Sequence, residues 1–152
     1  MMGALWSYRQ LRCEYSGARE AADFIRRDTG AALPIVVGHG LQAEAIIPYL
    51  PGTHFWFAGQ QAFGTYTRWD RDWRADATLA ESESLRRVRR QFPRGNYRLL
   101  VASHPLRDST GYRLVFRNKY EVFGHPDETY YLYAPNDAPN RELTQIDTAE
   151  AK

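Results

Sequence analysis

Four short apolar runs, set between turn and helix signals, constrain the fold of this chain more than any other feature. They lie in "ALPIVVGH", "THFWFA", "NYRLLVASH" and "TYYLYA", which begin at residues 32, 53, 96 and 129. The first and third runs are continuously apolar rather than alternating, which is typical of strands buried on both faces of a sheet. The pattern therefore favours a largely parallel sheet in an α/β fold.

A helical pattern precedes the first run. The segment "YSGAREAADFIRRDTG", residues 15 to 30, predicts a helix with Ser16 as its N-cap and Gly30 as its stop. One face of this helix has apolar residues at the i, i+3, i+4, i+7 spacing, namely Ala18, Ala21, Ala22 and Ile25.

Two further helices are expected between the runs. The segment "LQAEAIIPYLPG", residues 41 to 52, predicts a helix that its prolines end. Another helix is predicted from about Thr78 to Phe92, because Thr78 and Glu81 have capping-box spacing and apolar residues share a face.

The order of these elements predicts one α/β domain over residues 15 to 134. We expect a three-layer αβα-like sandwich whose central sheet is mainly parallel, with antiparallel strands at its C-terminal side. Residues 1 to 14 would form an N-terminal extension. Residues 135 to 152 are polar and are predicted to form a disordered tail.

Composition excludes several classes of protein. Twenty basic and eighteen acidic residues leave a net charge of +2, which does not indicate nucleic-acid binding. Cys13 is the sole cysteine, so neither an internal disulfide nor a thiolate metal cluster can form. No stretch approaches the roughly 20 apolar residues that a membrane span requires. We expect no cofactor and no metal centre.

Two histidines follow predicted strands directly. His39 ends "PIVVGH" and His104 ends "YRLLVASH", and parallel neighbouring strands would bring both imidazoles to one edge of the sheet. There they could act as acid and base, or share a metal with Asp70 or Asp108. The alternative is that each histidine caps its strand and bonds to a loop.

The segment "FGTYTRWDRDW", residues 63 to 73, combines aromatic and charged side chains. In an extended strand Tyr66, Arg68 and Asp70 would face one way while Trp69 faces the other. Sugars bind to surfaces that join an aromatic face to charged or amide groups, so these four residues are candidate ligand contacts. The alternative is an aromatic strand packed into the core. A second charged segment, "RRVRR" at residues 86 to 90, is expected to be a solvated helix face or to meet anionic lipid headgroups.

Four segments, taken in order, resemble the soluble C-terminal region of bacterial polytopic membrane glycosyltransferases. These are proteins of the protein mannosyltransferase-like and aminoarabinose-transferase-like kind, which have the multi-spanning GT-C fold. The segments span about residues 15 to 134 and are "YSGAREAADFIRR", "PIVVGHGLQAEAIIPYLPGTHFWFAG", "FGTYTRWDRDW" and "DETYYLYAP".

The resemblance implies an extracytoplasmic accessory domain, attached to a transmembrane region that uses polyprenyl-phosphate sugars. Catalysis in such transferases depends on acidic residues in loops between membrane helices, so no catalytic residue is carried over to this chain. The domain would contact a glycan, a lipid-linked sugar or a partner chain. Two alternatives stay open. One is a free-standing α/β enzyme that uses His39, His104 and Asp108, and the other is a structural or oligomerisation module.

Overall fold

The computed structural model describes residues 16–29, 33–38, 44–65, 78–119 and 128–137. Within these ranges the chain forms helices and a single sheet, as the α/β prediction requires. The elements are α1 (Ala18–Thr29), β1 (Ile35–Val37), a 3₁₀ helix (Ile47–Tyr49), β2 (Phe55–Phe57), β3 (Ala62–Gly64), α2 (Glu81–Gln91), β4 (Arg98–Ala102), β5 (Tyr112–Arg117) and β6 (Tyr130–Pro135).

The six described strands form one mixed sheet in the order β3-β2-β1-β4-β6-β5. β1 pairs in parallel with β2 and β4. The predicted antiparallel strands at the C-terminal side are confirmed, because β6 lies antiparallel between β4 and β5. The finer prediction of a mainly parallel sheet is not confirmed, since the β2–β3 hairpin adds a third antiparallel pairing.

Successive side chains of the central strands enter two separate cores. Ile35 and Val37 of β1 pack with the α1 face, in a cluster that also holds Phe55, Leu100 and Leu132 (the α1 core). Val36 packs instead with the α2 face, in a cluster that also holds Trp56, Leu85, Val88, Leu99 and Tyr133 (the α2 core). Because strand side chains alternate between faces, neighbouring residues of one strand contribute to different cores.

Helix α1 begins as the sequence predicts. The hydroxyl oxygen of Ser16 accepts a hydrogen bond from the backbone N–H of Ala18 at 3.1 Å. The predicted apolar face is also confirmed, because Ala18, Ala21, Ala22 and Ile25 are at most 3% exposed. Small side chains let the helix backbone approach the sheet closely.

The helix predicted within residues 41 to 52 is wrong for the part that the structure describes. Residues 44 to 46 form a turn, and Ile47–Tyr49 is a single 3₁₀ turn. Its bonds run from the N–H of Tyr49 to the carbonyl oxygen of Ile46 at 3.0 Å and from Leu50 to Ile47 at 3.0 Å. Pro48 has no N–H to donate, so an α-helix cannot propagate through it.

Helix α2 lies where the sequence predicts it, but its start differs. The helix begins at Glu81 and its N-cap is Ala80, two residues after the start predicted at about Thr78. The buried residues of the helix are Ser84, Leu85 and Val88.

The basic face at residues 86 to 90 contacts neighbouring loops. Arg87 Nη1 donates a hydrogen bond to the carbonyl oxygen of Gly59 at 2.8 Å, and Arg89 Nη2 donates one to the carbonyl oxygen of Thr110 at 3.1 Å. These arginines therefore fasten α2 to the loops after β2 and before β5. None of the helices in the described ranges is long and apolar enough to cross a bilayer.

Candidate functional site

The strand ends at which the two histidines were predicted to meet are neighbours in the sheet. β1 and β4 are parallel and adjacent, and the N–H of Gly38 donates to the carbonyl oxygen of Leu100 at 3.1 Å. The condition for a shared edge, that β1 and β4 are parallel neighbours, is therefore met. His39 itself lies outside the described residues.

The described segments after these two strands pack in different cores. Ile46, after β1, lies in the α1 core, whereas Leu106, after β4, lies in the α2 core. Neighbouring parallel strands whose connections run on different faces of a sheet form a topological switch point, where α/β proteins commonly bind ligands. The carboxyl ends of β1 and β4 are therefore the first candidate site.

A small pocket lies beside the carboxyl ends of β1 and β4, next to α2. It is lined by Gly38, Glu81, Ser84, Leu85, Leu99, Val101 and Leu106, and its free space fits about one water molecule. The hydroxyl of Ser84 donates to the carbonyl oxygen of Gly38 at 2.6 Å, which ties α2 to the end of β1. The described pocket is too small for a sugar ring.

His104 and Asp108 occupy the loop that follows β4, and both are exposed. The carboxylate of Asp108 accepts a hydrogen bond from the N–H of Thr110 at 2.9 Å, and bonds from Thr110 lower the pKa of Asp108. The N–H of Arg107 donates to the carboxylate of Glu81 at 3.0 Å. These bonds hold the loop against the start of α2 and give Asp108 a turn-stabilising role.

Two features of the same sheet edge were not expected from the sequence. Ser103 follows β4 with φ of 71°, a left-handed conformation that is unfavourable for a residue with a side chain. Among the described residues, Glu44 Oε1 is a buried oxygen without a hydrogen-bond partner. Neither feature could be predicted from the sequence, because both depend on how the loops pack around the strand ends.

A second candidate surface lies on β3, which is an edge strand of the sheet. Phe63 is 52% exposed, and its ring meets Phe92 edge to face with centroids 6.3 Å apart. Phe92 in turn meets the buried Trp56 edge to face at 5.5 Å. Beside this row, Arg90 Nη2 donates to Gln61 Oε1 at 2.6 Å. Gln61 lies two residues before Phe63 and Arg90 two residues before Phe92, so this bond joins the two segments that carry these rings.

The four predicted ligand contacts, Tyr66, Arg68, Trp69 and Asp70, lie outside the described residues. The structure does describe Phe63, which opens the same segment. The surface at Phe63, Gln61 and Arg90 was missed because the hairpin turn at residues 58 to 61 has no strong sequence signal. The described ranges contain no group of three His, Cys, Asp or Glu residues able to hold a metal ion.

Comparison with protein-family models, with curated proteins and with solved structures found no match to this chain.

Proposed function

We propose that the chain is a non-catalytic accessory domain of a membrane glycosyltransferase-like protein, located on the extracytoplasmic face of the membrane. There it contacts a glycan, a lipid-linked sugar or a partner chain. The proposal rests on the ordered resemblance of four segments and on the structural roles of the residues that carry it.

The resembling segment "SGAREAA", residues 16 to 22, supplies the observation that carries the proposal. Ser16 caps α1, and a Cβ at Gly17 would lie 2.4 Å from the side-chain oxygen of Asn118. The carboxylate of Glu20 accepts a hydrogen bond from Asn118 Nδ2 at 2.9 Å. These residues hold α1 against the sheet. The resemblance therefore concerns residues that pack the fold, not residues that carry out a reaction.

The same proposal includes the three-layer arrangement. Support comes from α1 and α2, which pack against opposite faces of the described sheet through the α1 core and the α2 core. A sheet covered in this way leaves its loops and edges as the surfaces on which other molecules can bind.

Sugar contact is assigned to the aromatic segment that begins on β3. Phe63 shows that this segment starts at the surface, because half of its side chain is exposed. Tyr66, Arg68, Trp69 and Asp70 follow within seven residues of Phe63. An aromatic ring with charged and amide groups nearby suits a pyranose, whose apolar face stacks while its hydroxyls form hydrogen bonds.

The test is chemical-shift mapping of the ¹⁵N-labelled chain with hexose oligosaccharides and with a short-chain polyprenyl-phosphate hexose. We expect the shifts to concentrate in residues 62 to 73. If the amides of that segment do not move with any of these probes, the sugar contact is wrong.

A second candidate function is a small enzyme that uses the strand-end site. It is favoured by the adjacency of β1 and β4 and by the left-handed Ser103 that precedes His104. The test is the ¹H–¹⁵N spectrum of the imidazole nitrogens across pH. A His39→Asn change that alters the titration of His104 supports a shared site, and an unchanged titration removes it.

A further inference from the structure

We infer that Phe63, Gln61 and Arg90 form a stacking platform for one pyranose ring of a glycan. The inference rests on the proposed function and deepens it, because it assigns the sugar contact to particular side chains on β3, on the turn before it and on α2. The platform shares no residue with the pocket at the carboxyl ends of β1 and β4.

The ring of Phe63 is held by a row of aromatic contacts that starts in the core. Trp56 is 2% exposed and is the register partner of Phe63 across the β2–β3 pair. Phe92 contacts both rings edge to face, at 87° to Trp56 and 89° to Phe63. The edge-to-face contact with Phe92 favours one orientation of the Phe63 ring, which reduces the ordering that binding would require.

Two polar side chains of the segments that carry Phe63 and Phe92 are hydrogen-bonded to each other. Arg90 lies in the last turn of α2, and its bond to Gln61 Oε1 orients both side chains across the hairpin. Gln61 adopts φ of 51°, which fixes its position at the turn. A guanidinium carries five N–H donors and an amide carries two, so donors of this pair can reach acceptors beside the ring. Sugar hydroxyl and ring oxygens are acceptors of that kind.

The size of the surface favours a single sugar over a protein partner. β3 is three residues long and presents one large exposed apolar side chain. A stable protein interface buries about 800 Å² on each partner, which is far more than one aromatic ring provides. One pyranose ring, in contrast, matches the area of one phenyl ring.

The experiment compares the binding of hexose oligosaccharides to the wild type and to Phe63→Ala, measured by chemical-shift titration. We expect Phe63→Ala to weaken binding about threefold to tenfold, the range expected for loss of a stacking contact. Phe63→Leu keeps an apolar side chain but lacks the ring, so it should weaken binding similarly. The test can then be read from Phe63→Leu even if Phe63→Ala folds poorly.

Leu114→Ala is the matched control, since Leu114 is 51% exposed on the other edge strand, β5. It should leave the affinity unchanged. If the wild type binds the oligosaccharides and both Phe63 variants bind equally well, the platform is wrong while the proposed function stands. If the wild type shows no binding up to about 10 mM, a concentration that detects even very weak complexes, both the platform and the proposed sugar contact are wrong.

Discussion

Asn118 Nδ2 donates a hydrogen bond to the carbonyl oxygen of Gly17 at 2.9 Å, which joins two residues 101 positions apart in the chain. The same amide group also donates to Glu20, and its oxygen accepts the N–H of Tyr130 at 2.6 Å. Asn118 is 6% exposed. One buried amide therefore connects the start of α1 to β6 and to the end of β5.

Replacing Asn118 by Ala should destabilise the fold strongly. The change removes the side-chain bonds of Asn118 to Gly17, Glu20 and Tyr130, although the carbonyl oxygen of Gly17 keeps the N–H of Ala21. We expect a loss of about 2 to 4 kcal/mol in the free energy of unfolding, since each hydrogen bond contributes about 0.5 to 1.5 kcal/mol. Urea denaturation measures this loss of stability, and Asn96→Ala, a change at an exposed position, is the control. Equal midpoints for both variants would contradict this role.

Gly17→Ala tests the close approach of α1 to the sheet. An added Cβ would lie 2.4 Å from Asn118 Oδ1 and 2.7 Å from the carbonyl oxygen of Glu128, so the backbone must shift. We expect a destabilisation of about 1 to 3 kcal/mol, as for other overpacked sites.

Gly38→Ala provides the comparison for this change. Its added Cβ would meet nothing closer than Leu99 Cδ1 at 3.5 Å. The free energy of unfolding should change by less than about 1 kcal/mol, as for other sterically compatible glycines. A Gly17→Ala protein as stable as Gly38→Ala would show that the helix start adapts without strain.

Local patterns predicted the elements whose signals lie within a few residues. Helix α1 is one example, because its cap at Ser16 and its alanine face are both encoded locally. The burial of β1 on both faces is another, since Ile35, Val36 and Val37 are each at most 2% exposed. That β1 and β4 are neighbours was a condition of the histidine hypothesis, and the structure meets this condition.

Features that depend on distant contacts could not be predicted in this way. β3 has three residues, two of them exposed, so it lacks an apolar pattern. The bond between Arg90 and Gln61 spans 29 positions, and without it the basic face looks merely solvated. The candidate platform at Phe63 arises from both features. It can therefore be recognised only from the structure, in which the hairpin turn contacts α2.

The ion pair of Asp28 and Arg98 should contribute more than the surface pairs. Asp28 Oδ2 lies 2.7 Å from Arg98 Nε, and the two side chains are 9% and 11% exposed. Removing one partner leaves a poorly solvated charge, so Asp28→Ala should cost about 3 kcal/mol. A double-mutant cycle with Arg98→Ala should give a coupling energy of at least about 1 kcal/mol.

The pair of Asp23 and Arg26 is the control for this cycle, because both side chains are about half exposed. Its coupling energy should stay below about 0.5 kcal/mol. If the two cycles give the same value, burial does not strengthen the Asp28–Arg98 pair.

Glu83 should make stability depend on pH in the acid range. Hydrogen bonds from Arg86 and Arg87 lower its pKa from 4.5 to about 2. A carboxylate whose pKa is lowered by folding stabilises the protein above its unfolded pKa, and this contribution is lost as pH falls through the folded pKa. Glu83→Gln should therefore lower the urea midpoint at pH 7, and the difference from the wild type should shrink between about pH 4.5 and 2.

A variant lacking both arginine partners separates this effect from general acid denaturation. Arg86→Ala with Arg87→Ala removes the two donors, and it also removes the bond from Arg87 to Gly59, whose effect should not depend on pH because arginine stays charged. In that background Glu83→Gln should leave the pH dependence of the urea midpoint nearly unchanged. A Glu83→Gln effect of equal size at pH 7 and pH 2 in the wild type would show that the ion pairs do not lower the pKa of Glu83.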